Sequence, residues 1–145
     1  KKNHPRTLPP ATMASYRERT PLAARRREAE RVRAAHPRRV PVLLVPASRE
    51  CPRAEKDRFL VSLELTVAEF ACAVRRHVEL APTQALFLHV DGLLAPGTAA
   101  MGALDARHRG DDGFLAVTYA LENTFGGFST RDSMEARMSS AVQPA

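Results

Sequence analysis

Few residues in this 145-residue chain have the type and spacing to do chemistry. Its two cysteines, Cys51 and Cys72, form no CxxC pair, and neither stands in a motif that would lower its pKa. His36, His77, His89 and His108 are scattered without ligand spacing, so no metal site is expected. Asp111-Asp112 reads as a turn rather than as an acid/base pair. The chain is therefore not expected to be an enzyme or to need a cofactor. The position with the clearest chemical use is Gly126, in Phe125-Gly126-Gly127. A glycine has no side chain, so its carbonyl can pass through a narrow channel and approach a catalytic thiol of another protein. In that reading the chain is a substrate. On Gly-Gly alone, a loop glycine before a disordered tail is the better reading.

Such a glycine needs an arm, and the arm needs a strand to leave from. Phe114, Leu115, Val117 and Tyr119 have the β-branched and aromatic content of a buried strand, introduced by an Asp112-Gly113 turn. Residues 122–126 then have no helical or strand period, which predicts an extended arm. Upstream, residues 1–12 form a proline-containing leader expected to be disordered. Residues 13–38 should be helical: a short helix over Ala14–Thr20, then a second to about Ala35 with Thr20 as cap and Pro21 at its first position. The apolar stripe of that second helix (Leu22, Ala29, Val32) is thin, and most of its arginines read as solvated.

Residues 40–45 are apolar without alternation, which predicts a strand buried on both faces. A second strand, Arg58–Ser62, should be its hairpin partner and a sheet edge. Thr66-Val67-Ala68-Glu69 is a capping box, and Val67, Phe70, Val74 and Val78 give the helix it opens one apolar face over residues 66–79. Cys72, two residues from Phe70, should face partly away from the core. A strand at 86–90, an Asp91-Gly92 turn, a helix from Thr98 to His108 and the last strand follow. This order predicts an α+β fold: a ubiquitin-like β-grasp over residues 39–121, with a four-stranded mixed sheet and two additional N-terminal helices. Grooves should remain between helix 21–35 and the sheet, floored by Pro41, Leu43, Leu60 and Phe114. A groove beside an edge strand suits an extended peptide.

Composition narrows the classes further. Hydrophobic content of 44% with no Trp indicates a globule, and the longest apolar run, Val40–Ala47, is too short to span a bilayer. Two unclustered cysteines do not make a disulfide framework, so a reducing compartment is expected. Residues 1–39 carry 12 of the 22 Lys and Arg but 3 of the 16 Asp and Glu, a net of +9 against +6 for the whole chain. Acidic partners should therefore meet the first third.

Several motifs occur in order: Arg39-Val-Pro-Val, Phe59-Leu-Val, Leu65-Thr-Val-Ala-Glu-Phe, Ala85-Leu-Phe-Leu, Asp112-Gly-Phe-Leu and Glu122-Asn-Thr-Phe-Gly126. Over Tyr16–Gly126 the chain resembles the autophagy-related protein eight family, the ubiquitin-like modifiers that include the GABARAP and microtubule-associated light-chain proteins. The resemblance implies cleavage after Gly126, beside Phe125, by a processing cysteine protease that removes residues 127–145. It implies transfer through activating and conjugating enzymes to phosphatidylethanolamine, and so a cytoplasmic protein that becomes lipid-anchored on autophagosome membranes. It also implies recruitment of cargo receptors and adaptors through acidic aromatic-x-x-aliphatic peptides added to the edge at Arg58–Val61. Glu28, Val32, Pro41, Leu43, Arg58, Leu60 and Phe114 match the family's aromatic pocket. Phe59, Val61, Leu65 and Phe70 match its aliphatic pocket, with Arg39 and Lys56 as basic partners. Ser62, Ala73, His77 and Ala116 depart from the residues usual there, which implies altered peptide preference. Two alternatives stay open at this point: Gly127 as the terminal residue, and a basic module binding nucleic acid or anionic membrane through helix 21–35.

Overall fold

The computed structural model describes residues 15–123 and the backbone of 142–144. Ser15 opens the first helix, α1 (Tyr16–Arg19), through a capping box with Glu18. The second, α2 (Leu22–Ala35), starts differently from expectation. Pro21 stands just outside the helix in an extended conformation, and no side chain caps the end. Thr20 instead offers its carbonyl to the Arg25 guanidinium at 2.6 Å.

Next come β1 (Arg39–Pro46) and β2 (Arg58–Ser62), paired antiparallel with Val40 opposite Val61 and Val42 opposite Phe59. Thr66 and Glu69 form the expected capping box of α3 (Val67–Arg75), which ends earlier than the sequence pattern suggests. Then follow β3 (Gln84–Val90), β4 (Leu93–Leu94), α4 (Met101–His108), β5 (Leu115–Asn123) and β6 (Val142–Pro144). Their order across the sheet is β4-β3-β5-β1-β2-β6, with β1 parallel to β5 and every other pair antiparallel.

This sheet is larger than the four strands expected. Asp91 and Gly92, both at positive φ, make a tight turn that folds the short β4 back on β3. At the other end β6 adds to β2, so β2 is the hairpin partner of β1 as expected but not the outermost strand of the sheet. The last strand also runs further than expected: Glu122 and Asn123 pair with Ala85 and Gln84, so two residues assigned to an arm belong to the sheet.

The main core lies between α3 and one face of the sheet, where Val40, Val42, Leu44, Phe59, Val61 and Phe70 are buried. Cys72 is buried with them, contrary to expectation, because this short helix lies flush on the sheet with Cys72, Ala73 and Val74 all covered. On the opposite face a smaller cluster joins Tyr16, Ala29, Leu43 and Phe114. β1 is thus buried from both sides, as its unbroken apolar run requires. Gly113 lets α2 sit so close: its φ is +88°, and a Cβ there would lie 2.8 Å from that of Ala29.

Candidate functional site

Two backbone bonds decide which groups β2 turns outward. The Leu44 N–H donates to the Asp57 carbonyl at 2.8 Å, and the Leu63 N–H donates to that of Arg38 at 3.2 Å. The alternation of an antiparallel ladder then directs the even residues of β1 and the odd residues of β2 at one another. Pro41, which has no N–H, falls opposite Leu60, where β2 asks for none. The N–H and C=O of Leu60 therefore point away from β1, toward the outer edge.

Side chains alternate across the same strand, and the matched residues separate into two sets. Phe59 and Val61 enter the α3 core with Leu65 and Phe70, and the Phe59 and Phe70 rings meet edge to face at 5.6 Å. Pro41, Leu43, Leu60 and Phe114 lie on the α2 side, where Val32 is also buried. Little of that floor is open, since Leu43 and Phe114 are each 2% exposed. Tyr16 accounts for much of the cover: its ring meets Phe114 edge to face at 5.8 Å.

Tyr16 also joins this cover to the edge. Its backbone N–H donates to the Asp57 carboxylate at 2.9 Å, and the Arg58 guanidinium lies 4.2 Å from its ring centroid, within cation–π range. Burial raises the Tyr16 pKa, and the Arg58 charge opposes that shift. Sequence reasoning missed this residue, although the local signal was present in the Ser15–Glu18 capping box that positions it. Glu28 is held by Arg31 at 2.6 Å, and that hydrogen bond lowers its pKa. Lys56 is exposed beside the edge, and Arg39 is half-buried opposite Ser62.

Two departures from the family pattern also have defined surroundings. Ser62 accepts the Glu64 N–H at its hydroxyl and donates to the Glu64 carboxylate, closing the turn after β2. The His77 ring packs 5.4 Å from that of Phe59, with Nδ1 3.4 Å from Glu55. Phe125 and Gly126 lie outside the described residues, as does the leader 1–12.

The arginines of α2 are less available than the sequence suggests. Arg33 makes a two-pronged contact with Asp105 at 2.7 and 2.9 Å and donates to the Gly113 carbonyl. Arg25 donates to Asp112 at 2.8 Å, and Arg26 to the Asp111 carbonyl. Asp112 also accepts the Phe114 N–H, so this acidic pair does build a turn. A hollow beside Arg33 and Arg109 lies between α2 and the 111–113 turn, lined by several of these engaged groups together with Ala29 and Glu30. Arg25 and Arg33 are thus turned inward, while Arg26, Arg27 and Arg31 stay exposed on α2.

A helix across one face of a mixed sheet, two more helices on the other and a strand, β2, flanked by two apolar clusters define a ubiquitin-like protein. The family model described as "Autophagy protein Atg8 ubiquitin like" matches residues 24–126, and this chain belongs to that family. Autophagy-related protein 8 of Colletotrichum lindemuthianum is 36% identical over 118 residues, covering 81% of this chain and 98% of its own length. Autophagy-related protein 8d of Arabidopsis thaliana is 38% identical over 117 residues, 80% and 98% of the two chains. Among solved structures, Trypanosoma brucei ATG8 superposes with a TM-score of 0.67 at 29% identity, covering 79% of this chain and all of that one. Plasmodium falciparum Atg8, in complex with a P. falciparum Atg3 peptide, has the same fold, with a TM-score of 0.65 at 24% identity over 74% and 96% of the two chains.

Proposed function

We propose that this ubiquitin-like autophagy protein is cut after Gly126 by a cysteine protease and passed through activating and conjugating enzymes to phosphatidylethanolamine. On the membrane it recruits cargo receptors and adaptors through aromatic-x-x-aliphatic peptides laid along β2. Attachment to a phospholipid gives the globule two acyl chains, each stabilising insertion by ~0.8 kcal/mol per buried CH₂. Among the described residues no helix is long and apolar enough to cross a membrane.

The observation that carries the peptide reading is the outward-facing backbone of Leu60 between two apolar clusters on opposite faces of the sheet. Successive side chains of an added strand alternate between faces, so residues three apart face opposite ways. An aromatic-x-x-aliphatic segment therefore offers one anchor to the Tyr16–Phe114 side and the other to the Phe59–Phe70 side. Arg58 and Lys56 suit its acidic flank.

Intact-mass spectrometry after incubation with a lysate holding the conjugation enzymes and phosphatidylethanolamine vesicles tests the covalent part. The expected result is loss of residues 127–145 followed by gain of one phospholipid mass less one water, which leaves as the amide forms. Gly126→Ala should retain the tail and acquire no lipid. A lipid adduct on that variant would move the conjugation point elsewhere.

A further inference from the structure

We infer that β6, the chain's own C-terminal strand, is an intramolecular occupant of the β2 edge, so that the uncut chain blocks its peptide site and cleavage after Gly126 opens it. This deepens the peptide-binding reading above and rests on it for the identity of the competitor. The register is specific. Phe59 faces Pro144, Leu60 faces Gln143 and Val61 faces Val142, antiparallel. Because Leu60 turns its N–H and C=O outward, the Leu60–Gln143 pair is the one that exchanges backbone hydrogen bonds. Pro144 then falls opposite Phe59, whose polar groups already face β1, so the missing proline N–H costs no bond. The tail's sequence and the parity of the edge agree independently.

The connection has ample reach. From the strand registers, Val142 lies about ten residues behind Asn123 along the strand direction, roughly 33 Å, and three strand spacings away, about 14 Å. Residues 124–141 can span about 60 Å. A strand tethered in this way competes at an effective concentration on the order of millimolar, whereas an external peptide must arrive from dilute solution. β6 also uses the one outward-facing backbone pair at the centre of β2. An external strand cannot add there while β6 is seated.

Gln143→Pro in the full chain removes the N–H that meets the Leu60 carbonyl and leaves the globule unaltered. Two measurements on this variant and the parent chain test the inference. By NMR hydrogen exchange, the Leu60 amide should exchange roughly threefold to tenfold faster in Gln143→Pro, since nothing from β1 protects it. By titration with a synthetic acidic peptide containing Trp-x-x-Leu, the variant should bind roughly threefold to tenfold tighter than the parent. Equal Leu60 exchange in the two chains overturns the inference, as does equal and measurable peptide affinity. Faster Leu60 exchange in a variant that, like the parent, takes no peptide supports the docked strand and instead removes the peptide-binding reading.

Discussion

At the scale of single residues, the arginines of α2 show how charge in a sequence misleads. Most of the α2 arginines read as solvated because the apolar stripe of the helix is thin, and Arg26, Arg27 and Arg31 are exposed, but Arg25 and Arg33 are drawn into the molecule. Their partners, Asp112 and Asp105, lie 87 and 72 residues downstream, beyond any local pattern. Asp105 is 3% exposed and takes both Arg33 and Arg109, so these contacts close a buried joint. Removing one partner of such a pair leaves the other charge buried, which costs more than an exposed salt bridge is worth. Arg33→Met should therefore lower stability by about 2–4 kcal/mol, with Arg109 retaining part of the Asp105 interaction. Arg27→Met, at an exposed position of the same helix, should change it by no more than about 0.5 kcal/mol. Urea denaturation of both variants checks the contrast, and equal effects would return Arg33 to the solvent.

At the scale of elements, legibility followed the range of the signal. The start of α3 was readable because a capping box is written within four residues, and both reciprocal bonds are present: Glu69 N–H to the Thr66 hydroxyl at 3.2 Å and Thr66 N–H to the Glu69 carboxylate at 3.0 Å. β1 was readable from its unbroken apolar run. Thr20 before Pro21 carried the same kind of signal and misled, since the Thr20 carbonyl is engaged by Arg25 and α2 begins without a side-chain cap. β4 and β6 were not legible, because two or three residues are too few to show a period. They form because a tight turn or a tether presents them to an edge that already exists. The cap at Thr66 can be tested alone. Thr66→Ala should cost about 1 kcal/mol and lower Tm by roughly 3–6 °C, whereas Thr66→Asp should recover most of the loss. Calorimetry of the two variants measures this, and an unchanged Tm in Thr66→Ala would mean that the Thr66–Ala100 bridge, rather than the cap, holds the start of α3.

At the scale of the whole molecule, the decisive property is that the sheet carries a core on each face. A half-solvated sheet could offer an added strand only one apolar side. Here the edge lies between the Tyr16–Phe114 cluster and the Phe59–Phe70 core, so an added segment can anchor on both. The family motifs indicated which residues flank the edge, but not how Tyr16 and Arg58 would cover the α2 side. The two-faced arrangement makes the spacing of the ligand a physical requirement. Anchors three residues apart project to opposite faces, whereas anchors four apart project to the same one. Inserting one residue between the aromatic and aliphatic anchors of the acidic peptide should therefore weaken binding at least about tenfold, as expected when one buried anchor is lost. Arg58→Glu should weaken the original peptide as well, through lost attraction to its acidic flank and loss of the cation that covers Tyr16. Only the Arg58 effect should shrink as salt is raised, because screening acts on exposed charge and leaves strand parity untouched. Calorimetric titration of both peptides against both proteins at two salt concentrations separates these contributions. Equal affinity for the two spacings would mean that the peptide lies flat on one face, and the edge would then not be its seat.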